Sequence, residues 1–168
     1  MEHSVFVQKV DGYGVQVDQA VEAIFAASER ARGLGPHSKG LIKPNLLAKH
    51  VPDHAVTTHP AVVAACIRAL RRRGVQDIVV ADSPGGLYNP SIMRSVYQAS
   101  GLSWECGSLE TQVYTECRSG IRAAQGKLVR QFQLLEPVLQ ADFIVNVPKL
   151  KTHVMTGMSC AVKNLFGT

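Results

Sequence analysis

The sequence predicts an α/β fold: a mostly parallel sheet flanked by helices in three Rossmann-like layers, with a small irregular or hairpin excursion in the middle. Three observations predict it. Short β-branched runs alternate with longer amphipathic stretches along the 168 residues, the pattern of strands joined by helical crossovers. Two runs, Asp77–Ala81 and Ala141–Val147, are apolar almost throughout, as strands buried on both faces are. Three runs also exit through a proline, Pro44, Pro84 or Pro148, which stops a strand and stiffens the exit.

In chain order, Ser4–Val10 alternates with period two and reads as a strand, and a Gly-Tyr-Gly turn comes next. Val15–Arg32 reads as a helix with Val17, Ala20, Val21, Ile24 and Phe25 on one stripe, stopped by Gly33 and Gly35-Pro36. Gly40–Lys43 is a short strand. A second helix runs from Thr58, as N-cap, through Pro60 in its first turn to Arg73, with Gly74 beyond its end. Arg71–Arg73 forms its cationic terminus. Strand Asp77–Ala81 leads into Asp82-Ser83-Pro84-Gly85-Gly86, then a helix over Pro90–Ser100. Leu102–Leu134 is less regular, with a hairpin over Gly120–Phe132 turning near Gln125-Gly126. Ala141–Val147 is the last buried strand, and His153–Phe166 a poorer helix containing Gly157.

Composition narrows the class. Hydrophobic residues make up 46% and charged residues 18%, too apolar for a disordered chain. Mean hydropathy is +0.04, and no apolar run approaches the roughly 18–20 residues of a membrane span. Met1-Glu2-His3-Ser4 has no basic leader character. The cysteines, Cys66, Cys106, Cys117 and Cys160, stand 40, 11 and 43 residues apart, so no local zinc or iron–sulfur spacing is present. Reduced thiols and a cytoplasmic location are the expectation. A chain of this length can fold as one domain, residues 1–168.

The polar residues collect after strands. Gly40–Lys43 leads into Lys43-Pro44-Asn45, Asp77–Ala81 into Asp82-Ser83-Pro84-Gly85-Gly86, and the last strand into Pro148-Lys149-Leu150-Lys151-Thr152-His153. In an open parallel sheet those exits share one edge, where ligands bind. Residues 141–168 hold Lys149, Lys151 and Lys163 against Asp142 alone, and lysines beside a helix start suit a phosphate or carboxylate. The expected ligand-binding residues are Lys43, Asn45, Ser83, Gly85, Gly86, Lys151, Thr152, Lys163 and Asn164; Asp82, His153 and Lys149 are the candidate catalytic groups, and no metal ligand is assigned. Each has an ordinary alternative. Asp82-Ser83 reads as a turn or cap, Gly85-Gly86 as a plain turn without a phosphate-loop pattern, His153 as structural, and Lys43 as a surface lysine. Convergence of three segments carries the site.

Leu41-Ile42-Lys43-Pro44-Asn45-Leu46-Leu47, Thr57-Thr58-His59-Pro60, Asp82-Ser83-Pro84-Gly85-Gly86 and Val145–His153 occur in that order, succeeded by Gly157 and Ala161–Gly167. In these segments the chain resembles the family called domain of unknown function 362, over Lys39–Gly167. Cys160 stands where the resemblance implies a smaller residue, often glycine. Some members of that family carry a ferredoxin-like module with clustered cysteines, and members generally continue further. The resemblance therefore implies that residues 1–168 are the N-terminal part of a longer protein, with an iron–sulfur cluster only if a further C-terminal part supplies it.

Three functions compete. The first is part of an enzyme, of oxidoreductase type if the resemblance guides it, acting on a small anionic ligand. The second is a non-catalytic electron-transfer or scaffold module with a redox partner and an iron–sulfur protein. The third, nucleic-acid binding, rests on the pI of 9.2 alone and ranks last, because no recognised module fits.

Overall fold

The computed structural model of the protein describes residues 5–168. Its elements are α1 (Val15–Ala27), β1 (Lys39–Lys43), α2 (Pro60–Arg72), β2 (Asp77–Val80), α3 (Pro90–Ala99), α4 (Leu102–Ser108), β3 (Gln112–Val113), β4 (Ser119–Ala123), β5 (Gln131–Leu135), α5 (Glu136–Gln140), β6 (Phe143–Asn146), β7 (Lys151–His153), β8 (Gly157–Ser159) and α6 (Ala161–Asn164). Short 3-10 turns lie at Glu29–Gly33, Pro52–His54 and Leu165–Gly167.

The protein is an α/β fold. Its main sheet is four-stranded, ordered β3-β2-β1-β6, and every pairing in it is parallel. Alternate residues of each strand serve opposite faces. Ile42, Ile78 and Val80 point into the larger core with Val17 and Val21 of α1, Val63, Ile67 and Leu70 of α2, Met93 and Tyr97 of α3, and Leu102 and Cys106 of α4. Leu41 and Ala81 face the other way, against Tyr114 and Leu135. That second face carries the antiparallel β4–β5 hairpin and the five-residue α5. The layers are therefore unequal, and Ile144 of β6 is 40% exposed.

Gly40 fixes the β1–β6 contact. A Cβ there would lie 2.6 Å from the Phe143 ring, which packs against the larger core. Gly40→Ala should cost about 1–3 kcal/mol by overpacking, read as a lower urea midpoint. Phe143→Leu in the same chain should recover part of it, as a steric cause requires.

Several expectations need correction. Of the Ser4–Val10 strand, Ser4 lies outside the described residues and 5–10 form no strand. Alternation makes a strand only where a ladder partner exists, and Val5 and Val7 find none and are exposed. The first helix ends at Ala27 rather than Arg32, giving way to the 3-10 turn. Thr58 does not cap α2: His59 does, its Nδ1 accepting the Ala61 N–H at 3.2 Å. The Leu102–Leu134 stretch is more regular than expected, containing α4 and β3 besides the hairpin.

The helix expected over His153–Phe166 is instead the β7–β8 hairpin and then the short α6. Val154 and Met155 are exposed, so no apolar stripe repays helix formation there. Gly157 takes φ +71° at the turn, and the His153 Nδ1 accepts the Met155 and Thr156 N–H groups at 3.2 Å each.

Candidate functional site

The chain steps from β1 to β2 to β3 in one direction, then returns to place β6 on the other side of β1. The strand order thus reverses at the β1/β6 boundary. In parallel sheets, ligands bind outside the carboxyl ends of the strands at such a reversal. Lys43 and Asn146 are register partners there, and the β2 exit brings Asp82 alongside.

Lys43 is 1% exposed and Asp82 3%. The Lys43 Nζ donates to Asp82 Oδ1 and, at 3.3 Å, to the Pro44 carbonyl. Asp82 Oδ2 accepts the Leu46 N–H at 2.8 Å, and the Asp82 N–H donates to the buried Tyr97 hydroxyl at 3.2 Å. Burial pushes the Lys43 ammonium below its usual range and the Asp82 carboxyl above its own, while each charge pulls the other back. This is a dry, tightly coupled pair rather than a surface lysine beside a turn.

Gly167 closes over the pair. Its carbonyl accepts the Ser83 N–H at 3.1 Å, and a Cβ on it would sit 2.9 Å from Asp82 Oδ1 and 3.2 Å from Lys43 Nζ. Only glycine lets the backbone pass so near.

Beside the pair runs a chain of three asparagine amides. Asn45 Nδ2 donates to Asn164 Oδ1 at 3.0 Å, and Asn164 Nδ2 donates to Asn146 Oδ1 at 2.8 Å. Asn164 Nδ2 also lies 3.3 Å from both the Lys43 and Pro44 carbonyls. Asn146 Nδ2 reaches the Ala161 carbonyl at 2.8 Å. Asn164 is thereby a clamp joining α6 to the ends of β1 and β6. Thr58 adds a second tie, accepting the Asn45 N–H at 2.8 Å and donating to the Val147 carbonyl at 2.6 Å.

The other lysines gather around this frame. Lys163 acts through space on both Lys43 and Lys151, and Lys149 on both Lys151 and His59. Partial burial, then Lys163, holds the Lys151 ammonium below the usual lysine range despite Asp82. Burial and then Lys149 likewise lower His59, against Asp53 and Glu105. Lys151 Nζ donates to the Val56 carbonyl at 2.5 Å. None of Lys149, Lys151 and Lys163 makes an ion pair among the described residues.

The expected residues thus fall into two groups. Lys43, Asn45, Asp82, Ser83, Lys149, Lys151, Lys163 and Asn164 come together. Gly85 and Gly86 are exposed with open space around them, Gly86 at φ +96°, which is turn geometry. Thr152 is exposed and pairs with Met158 in the hairpin, whose turn His153 pins. Sequence reasoning missed Tyr97, Asn146 and Gly167 as positioning groups, and gave Thr58 only the role of a cap. The sequence signal for Thr57 and Thr58 was their place in the segments that carry the family resemblance.

Two atoms of the site lack a partner. Asn45 Oδ1 and Thr57 Oγ1 are buried without a hydrogen bond, which is uncommon for buried polar atoms. A cavity of about 250 Å3 lies elsewhere, bordered by Lys39, Asp77, Glu116 and Arg118. Its lining carries both charge signs and the Arg118–Glu136 pair, so it lacks the one-signed field of the lysine cluster.

An iron–sulfur cluster needs several convergent thiolates. Among the described residues no three His, Cys, Asp or Glu side chains gather in metal-binding range, and Cys66 and Cys106 are buried, their thiols pushed up to about 12 by burial. The residues present do not fit such a cluster. No helix among the described residues is long and apolar enough to cross a membrane.

Comparison with known proteins adds one relative. A protein of Synechocystis sp. named "Thylakoid-associated protein sll1697" is 32% identical over 132 residues, which cover 79% of this chain and 39% of that relative. The chain therefore matches well under half of the relative's length. No solved structure matches. The model of the family described as "Domain of unknown function (DUF362)" matches residues 41–168, a span holding the buried pair, the asparagine clamp and the lysines, and the chain belongs to that family.

Proposed function

We propose that the carboxyl edge of the sheet binds a small anion, a phosphate or carboxylate group, between Lys149, Lys151 and Lys163. The observation that carries this is the set of three lysines without an ion pair among the described residues, one of them, Lys151, depressed by partial burial first and by Lys163 next. Like charges held together need a counter-charge, and a bound anion supplies it. The orphaned Thr57 Oγ1 can donate to a ligand or an ordered water, whereas the orphaned Asn45 Oδ1 only accepts and suits an ordered water rather than the anion. Lys43 is committed to Asp82 and shapes the floor rather than gripping the ligand. An oxidoreductase role and a redox partner draw no support from a side chain in hand. The unpaired thiols favour a reducing compartment such as the cytoplasm, and the relative's name adds association with a thylakoid, for that protein.

Inorganic phosphate at about a hundred times its Kd should stabilise the protein by about 2.7 kcal/mol, read by thermal unfolding against sodium chloride at matched ionic strength. In the triple variant Lys149→Ala, Lys151→Ala, Lys163→Ala the gain should vanish. Binding should also take up protons at alkaline pH, because the anion raises the depressed Lys151 toward 10.5. Equal stabilisation of parent and triple variant, or of neither, would overturn the proposal.

A further inference from the structure

We propose that His50 and His54 form a two-ligand site for a borderline divalent transition-metal ion, on the loop between β1 and α2. This does not rest on the anion site. The loop is wound tightly: Pro52 opens a 3-10 turn, the His54 N–H donates to the Val51 carbonyl at 3.2 Å, and the Ala55 N–H to Pro52 at 2.9 Å. Ala55 then ends the turn at φ +54°. Pro52 packs 3.8 Å from the position a Cβ would take on Gly101, which holds the turn against the start of α4.

That winding brings two imidazoles, four residues apart, edge to face. Their ring centroids are 5.5 Å apart at 65°, and Nδ1 of His50 lies 3.3 Å from Nδ1 of His54. Two ligands on one tetrahedral ion, each bound at about 2.0–2.1 Å, stand roughly 3.3–3.4 Å apart. The two nitrogens are already at that spacing. Without an ion, one ring must donate its proton to the other's lone pair; with one, both lone pairs serve the metal.

Imidazole nitrogen selects nickel, copper and zinc over magnesium and calcium, which take oxygen ligands. No third His, Cys, Asp or Glu joins them among the described residues, so water or an incoming ligand completes the coordination. His54 is exposed and His50 half-buried, leaving the ion accessible.

Calorimetric titration with nickel chloride is the test. The parent should bind one nickel ion at this site, His50→Ala and His54→Ala should each weaken binding at least tenfold, and magnesium chloride should give no heat of binding. His37→Ala, which changes an exposed histidine elsewhere, should bind as the parent does. Far-UV circular dichroism of each variant should match the parent, as expected for loop side chains. Nickel binding equally tight in His50→Ala or His54→Ala, equally weakened in His37→Ala, or absent from the parent would overturn the proposal.

Discussion

Asp82→Asn should destabilise the protein by about 3–5 kcal/mol at neutral pH, the usual cost of stranding one member of a buried ion pair. Asn keeps an oxygen for the Leu46 N–H but leaves the Lys43 ammonium without its counter-charge. The deficit should narrow as pH rises toward 10.5. Lys43 is held below that value when folded, so the unfolded chain binds more protons in the window between, and stability climbs with pH there. Lys43→Met added to Asp82→Asn should recover most of the loss, because no charge is then left buried. Urea unfolding across pH measures all three chains. A single variant within about 1 kcal/mol of the parent would mean the pair is not the anchor described.

Asn164→Ala should cost about 2–3 kcal/mol, since buried carbonyls and an amide lose their partner together. Asn164 Nδ2 meets Lys43, Pro44 and Asn146, and its Oδ1 serves Asn45, so the change frees the junction of β1 and β6 rather than one bond. The Val147 N–H, which donates to the Lys43 carbonyl at 2.8 Å, should exchange with deuterium faster in the variant, while Leu70 within α2 should not. Uniform acceleration across the chain would point instead to a global loss of stability.

Three strands of the parallel sheet, β1, β2 and β6, were legible because they are apolar runs that exit through a proline, and such runs need both faces covered; the two-residue β3, Gln112–Val113, carries neither mark. The shared edge came from topology alone. What sequence could not supply was depth. Lys43 looks like a strand-end lysine in one dimension and is buried in three, because Gly167, lying 124 positions later, closes over it. His153–Phe166 misled for the opposite reason: its residues permit a helix, but no buried face is available to hold one. Ser4–Val10 alternates like a strand, and pairing, which is a long-range property, decides whether it becomes one. Asn164 stood out only as part of a family-like segment; its function as a clamp depends on Asn45 and Asn146 arriving from two other strands' exits.

The most direct measurement is a crystal of the protein soaked in sodium tungstate, a heavy tetrahedral oxyanion whose position anomalous scattering reveals. A tungsten peak is expected within hydrogen-bond reach of at least two of the Lys149, Lys151 and Lys163 Nζ atoms, beside the Asn45–Asn164 amides. Tungstate bound only at other surfaces, with this edge empty, would contradict it.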